Sequence, residues 1–129
     1  MATPDQPEMS VEALQQRVVD SLEDMKGVDL RVMDVREMTT VTDVMVVVSG
    51  NSARHVRSLA EEVVRQVKAA GVQPLGVEGA EQGEWVLVDL ADVVVHVMRP
   101  QVREFYNIEK LWSVAEQARG AADSPAPKP

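Results

Sequence analysis

The fifteen residues from Glu84 to Met98, EWVLVDLADVVVHVM, constrain the fold more than any other stretch of the chain. Side chains of a strand alternate between two faces, so positions two apart share one. With a turn at Ala91-Asp92, Leu90 pairs with Val93 and the stretch reads as a β-hairpin. One face then carries Val86, Val88, Leu90, Val93, Val95 and Val97, all aliphatic. The other carries Trp85, Leu87, Asp89, Val94, His96 and Met98. The first set belongs in a core. The second has the composition of a recognition surface, because Trp and Met are enriched where proteins meet partners.

The rest of the chain supplies layers to cover the aliphatic face. Ser10 is placed to cap a helix, and Val11, Leu14, Val18, Leu22 and Met25 follow at helical spacing. Gly27 is positioned to end it. Val28 to Val35 reads as a first strand, with Leu30 and Val32 on one face. Val44 to Ser49, VMVVVS, has the uninterrupted β-branched character of a strand buried on both sides. Gly50-Asn51-Ser52 opens a second helix with a stripe of Val56, Leu59, Val63 and Val67, closed by Gly71. Pro74, Gly76, Gly79 and Gly83 mark a long loop into the hairpin, which Pro100 stops. Arg103 to Ala118 has a helical pattern in two pieces, with Asn107 capping the second. Phe105 and Trp112 are expected to pack onto the sheet, alongside Ile108, Leu111 and Ala115. The order is α-β-β-α-β-β-α: an α/β (α+β) domain over residues 10–118, with a small mixed sheet packed with helices. Residues 1–9 and the Pro/Ala-rich stretch 119–129 read as disordered.

Charge and composition exclude several functions. The net charge is −8, with the acids concentrated in the first thirty residues and between Glu61 and Met98. Such a surface repels a phosphate backbone, so nucleic-acid binding would have to use Arg54 and Arg57 or Arg99 and Arg103. A basic protein partner suits the charge better. There is no cysteine, which removes disulfides, thiolates and thiolate metal sites. No run approaches the ~18 apolar residues of a membrane span, and the N-terminus lacks a secretory pattern, so a cytoplasmic location is expected.

The chemistry-bearing residues do not assemble into a known catalytic arrangement. Ser49-Gly50-Asn51-Ser52 with Arg54, His55 and Arg57 offers a helix N-terminus to an anion, but it matches no phosphate-loop fingerprint, and capping by Ser52 accounts for it. Asp89 and Asp92 straddle the turn rather than sharing one metal. His55 and His96 have no ligand spacing. The remaining catalytic reading pairs Asp89 with His96 diagonally across the hairpin for acid/base work. Trp85, opening a strand on the mixed face, suits a partner contact first and cover by a second helical layer as the alternative.

These segments together resemble the ribosomal silencing factor (Iojap-like) family. The resemblance is carried by Thr42-Asp43 leading to Val48-Ser49-Gly50-Asn51-Ser52, by Arg54-His55-Val56, and by Gly76-Val77-Glu78-Gly79. It continues through Trp85 to Asp89, Asp92 to Val97 and Pro100, and the run Arg103 to Trp112. It covers about Val11 to Trp112. It implies a nucleotidyltransferase-like fold without that fold's catalytic acids, no enzymatic activity and no cofactor. It further implies a translation repressor that binds the large (50S) ribosomal subunit through ribosomal protein L-fourteen and sterically blocks the small subunit, with little direct nucleic-acid contact. By position, the resemblance puts the partner contact on Trp85, Leu87, Asp89, Leu90, Asp92, His96 and Met98, although alternation turns Leu90 inward. Relatives also suggest a homodimer. This chain departs from the family at Val44-Met45, where an aromatic is common, at Arg99, and at Ala91, where the turn usually has glycine. Ala91 therefore suggests another turn type or a bulge.

Overall fold

The computed structural model describes residues 9–110. Helix α1 (Val11–Asp24) starts where Ser10 accepts a hydrogen bond from the Ala13 N–H. Then come β1 (Val28–Asp34), β2 (Val44–Ser49) and α2 (Ala53–Ala69), whose start is capped by Ser52 accepting from the His55 N–H. β3 (Gly76–Glu78), β4 (Trp85–Asp89), β5 (Val93–Met98) and α3 (Pro100–Tyr106) complete the order. The five strands form one sheet in the order β1-β2-β5-β4-β3. The β2–β5 pair is parallel and every other pair is antiparallel, so the sheet is mixed, as expected.

Gly76–Glu78 is a strand where a loop was expected. Three residues flanked by Pro74 and Gly79 are too few to show a period, and their pairing partner β4 supplies what their own pattern lacks.

The two sheet faces carry separate cores. The stripes of α1 and α2 cover Val44, Val46 and Val48 of β2 together with Val86, Val88, Leu90, Val93, Val95 and Val97 of the hairpin. Met9, expected in a disordered segment, packs at the edge of this core. On the reverse face Met33, Val35, Met45, Val47 and Met98 form a smaller cluster, flanked by Met38, Trp85, Val102 and Ile108. The interior strand β2 is buried at every position, as its β-branched run requires. Val32 is 38% exposed because β1 is an edge strand beyond the reach of the helices.

Two glycines act differently from expectation or from each other. α2 ends with Gly71 at φ 91°, its N–H bonded to the Lys68 carbonyl while the Val72 N–H reaches Val67, a left-handed cap of the kind glycine favours. α1 ends with the same bonds, but Lys26 takes the left-handed position at φ 61° and Gly27 follows it. Gly27 is required for space: a Cβ there would lie 2.6 Å from Val48 Cγ2.

The C-terminal helical region also differs. α3 begins at Pro100, whose missing N–H costs nothing in a first turn, and ends at Asn107 in the left-handed conformation. Asn107 thus does mark a break, as the cap of the preceding helix. Phe105 is 79% exposed rather than packed on the sheet, while Ile108 does join the smaller cluster. Leu111, Trp112, Ala115 and the tail lie outside the described residues, as do residues 1–8.

Candidate functional site

The hairpin forms with the expected register. Trp85 faces Met98, Val86 faces Val97, Leu87 faces His96, Val88 faces Val95 and Asp89 faces Val94. The Leu90 N–H reaches the Val93 carbonyl at 2.9 Å, and the Asp92 N–H reaches the Leu90 carbonyl, closing a three-residue turn about Ala91. Ala91 stands at φ 73°, the conformation that glycine would take more cheaply. Asp89 holds it there: its Oδ1 accepts from the Ala91 N–H at 2.9 Å. The turn is tied to the sheet through the Asp92 carbonyl, which accepts from both Asp43 and Val44 N–H. That contact gives the Thr42-Asp43 segment its structural role.

The outer face of the sheet, away from α1 and α2, forms rows fixed by strand register. One row runs Gly76, Asp89, Val94, Met45 and Met33, and the next runs Glu78, Leu87, His96 and Val47. Trp85, Leu87, Asp89 and Val94 are half-buried, and Glu78 and Asp92 are exposed. His96 is buried and Met98 is completely so, beneath Trp85 and α3. Leu90 is buried in the main core. Of the residues expected to meet a partner, Leu90 and Met98 therefore present no side chain to solvent, and His96 only a sliver. The inward alternation of Leu90 decides its position.

His96 is neutral and oriented. Trp85 Nε1–H donates to His96 Nδ1 at 3.0 Å, so the imidazole proton is on Nε2. Burial lowers its pKa from 6.5 to about 4. Asp89, occupied by the turn, does not pair with it. The diagonal Asp–His arrangement needed for acid/base work is not made. Among the described residues no group of three or more His, Asp or Glu side chains could hold a metal ion.

The proposed anion site is likewise consumed by internal bonds. The Gly50 N–H reaches the Met98 carbonyl. The Asn51 N–H donates to His55 Nδ1 at 2.9 Å, which leaves His55 Nε2–H to donate to the Met25 carbonyl at 2.8 Å. His55 thereby clamps the end of α1 to the start of α2. Capping explains this segment.

Two aromatics extend the outer face and were not assigned to it from the sequence. Tyr106 lies against Trp85 with ring centroids 5.1 Å apart, and Phe105 meets Tyr106 edge-on at 4.9 Å. Adjacent helical residues point about 100° apart, so a short helix cannot turn both rings onto the sheet. That pairing was the available signal. Arg103 anchors the helix: it donates to Ser49 Oγ at 2.8 Å and pairs with Glu109, whose pKa is lowered chiefly by that hydrogen bond.

The family model described as "Ribosomal silencing factor during starvation" matches residues 8–128. The chain belongs to the ribosomal silencing factor family. A relative named ribosomal silencing factor RsfS, from Chromobacterium violaceum, is 46% identical over 104 residues, spanning 81% of this chain and 85% of that protein. A crystal structure of a Chromobacterium violaceum protein superposes with a TM-score of 0.81 at 41% identity, covering 94% of this chain and 91% of that one. A mouse protein named mitochondrial assembly of ribosomal large subunit protein 1 is 33% identical over 67% of this chain and 39% of its own. Silencing factors are named as regulators rather than enzymes. No helix among the described residues of this silencing-factor chain is long and apolar enough to cross a membrane.

Proposed function

We propose that the protein represses translation by binding the large ribosomal subunit through ribosomal protein L-fourteen and occupying surface the small subunit needs. The observation that carries this reading is the asymmetry of the hairpin. Its aliphatic face is sealed by α1 and α2, while Trp85, Leu87 and Asp89 stay accessible on the other, beside exposed Asp92 and Glu78. The contact we propose uses these side chains, with Val94 and Tyr106 at its margin. His96, Met98 and Leu90 act from beneath, holding Trp85 and the turn in place. A half-buried Trp with Glu78 beside it, and Asp89 and Asp92 further along towards the turn, suits a basic protein with an apolar anchor point. The net charge of −8 favours the same partner and makes association salt-dependent. The names of relatives support a ribosomal role, and the mouse relative's name refers to the large subunit. The site of action we propose is the cytoplasm. A homodimer using this same face would compete with ribosome binding.

Co-sedimentation with separated ribosomal subunits, and pull-down with purified L-fourteen at low salt, test the reading. Binding to the large subunit, with subunit joining inhibited, is expected. Failure to bind either target at low salt would sink it. Trp85→Ala and Asp92→Lys should each weaken binding, and unchanged binding by both would move the contact elsewhere.

A further inference from the structure

The opposite side of the molecule carries a second groove that the hairpin face does not use. It runs between α2 and the edge strand β3, with a volume of about 440 Å³. Its floor is apolar and built from small or branched side chains: Ala60 and Val64 from α2, Val77 from β3 and Ala80 beyond it. Val77 faces this way because it pairs with Val88, a residue of the main core. It is nonetheless 40% exposed, since α2 does not reach over the sheet edge. Leu75, just before β3, is 70% exposed.

The rim is cationic on a strongly acidic chain. Arg57, Arg65 and Lys68 line the groove, with Glu61 as the one carboxylate among the described lining residues. They lie on one side of α2, and from Arg57 to Lys68 the helix rises roughly 16 Å. Arg57 is held at one end by donating to the Glu81 carbonyl at 3.3 Å, and Arg65 is fixed by Glu62. An apolar trough of this length beside a basic row, next to a strand whose outer edge pairs with no other strand among the described residues, fits an extended segment that brings its own acids and an apolar anchor.

We infer that the α2–β3 groove is a docking site for an acidic, extended peptide segment of a partner protein, whose bulky apolar residue enters between Val64 and Val77. The segment lies along β3 and its carboxylates meet Arg57 and Lys68. This partner is distinct from the basic one proposed for the hairpin face. The two sites are on opposite sides of the sheet, so both can be filled at once.

The test uses the full chain with a short fluorescein-labelled peptide of Asp, Glu and Thr around a central Leu-Phe pair. Controls are its lysine-for-acid counterpart and an acidic peptide without Leu-Phe. Saturable binding of the first peptide is expected, with methyl NMR shifts at Val64 and Val77 and none at Leu87 or Val94. Lys68→Glu, and separately Arg57→Glu, should weaken it by roughly tenfold or more, about 1.4 kcal/mol. No binding, equal binding of either control, unchanged affinity in both variants, or shifts confined to the hairpin face would each overturn the inference. L-fourteen binding is measured on the same variants and should be unaffected.

Discussion

Trp85 donates its indole N–H to His96 Nδ1 across the β4–β5 pair at 3.0 Å, and this bond fixes both the tautomer of the histidine and the tilt of the tryptophan. It also ties the half-buried tryptophan that we propose as a partner contact to a buried titratable group. Protonated His96 carries hydrogen on both nitrogens and cannot accept that bond.

Acidification should therefore destabilise the fold. The folded-state pKa of about 4 lies below the ordinary 6.5, so the unfolded chain takes up the proton first. Stability from this residue is complete above pH 6.5 and is lost as pH falls towards 4, with a loss of about 2 kcal/mol by pH 5. Urea unfolding at pH 7 and pH 5 checks this. His96→Gln should flatten that part of the pH dependence; an unaltered slope would place its origin in other groups.

The turn at Ala91 stores strain that glycine would release. At φ 73° a Cβ is unfavourable, and the Asp89 side chain bonded to the Ala91 N–H helps to offset it. Ala91→Gly should raise stability by about 0.5–1 kcal/mol, after allowing for the greater freedom glycine gives the unfolded chain. Asp89→Ala should lower it by a similar amount. Thermal melts of the two variants should move in opposite directions.

Gly27→Ala is expected to be costly despite adding a single methyl. The new Cβ would meet Val48 Cγ2 at 2.6 Å and the Leu22 carbonyl at 3.1 Å. Overpacking of this kind costs about 1–3 kcal/mol, because β2 is enclosed on both faces and cannot retreat. Equilibrium denaturation that finds the variant as stable as the parent would contradict the packing described.

Removing Arg103 should loosen α3 and with it Tyr106. Arg103→Met deletes the bonds to Ser49 and Glu109 and leaves a poorly exposed carboxylate without its main partner, a change worth about 1–3 kcal/mol. Faster amide exchange confined to residues 100–110 is expected, together with a rise in the Glu109 pKa. Exchange spread evenly over the sheet would instead mean that Arg103 supports the whole fold.

Alternation and helical spacing made the main core legible. Every aliphatic residue of the hairpin's inner face and every member of the Val56–Val67 stripe is buried, because burial of a whole face leaves a period in the sequence. The alternation of Val86–Leu90 and Val93–Val97 suggests the register that forms, but Ala91 in place of a turn glycine leaves a bulge open, and the Leu90–Val93 bond closes that question. What escaped notice depended on neighbours distant in the chain. β3 exists only through β4. Met98 is buried by Trp85 and α3, so a residue on the outward face is not thereby exposed. Phe105 is a large apolar side chain that its own helix turns away from the sheet. Gly27 looked like a helix stop, but the reason for it lies in Val48.

The interior position of β2, between β1 and β5, has a consequence during synthesis. Val44 and Ser49 bracket six uncharged residues, and the strand's parallel partner begins only at Val93. A chain emerging from its N-terminus exposes VMVVVS while the strand that must shield one of its edges is still unmade. Such a segment is prone to pair with another copy of itself. Once β5 arrives, closing that long connection limits how fast the sheet completes. Yield on expression should therefore respond to chaperone supply and to growth temperature more sharply than the stability of the finished domain would suggest.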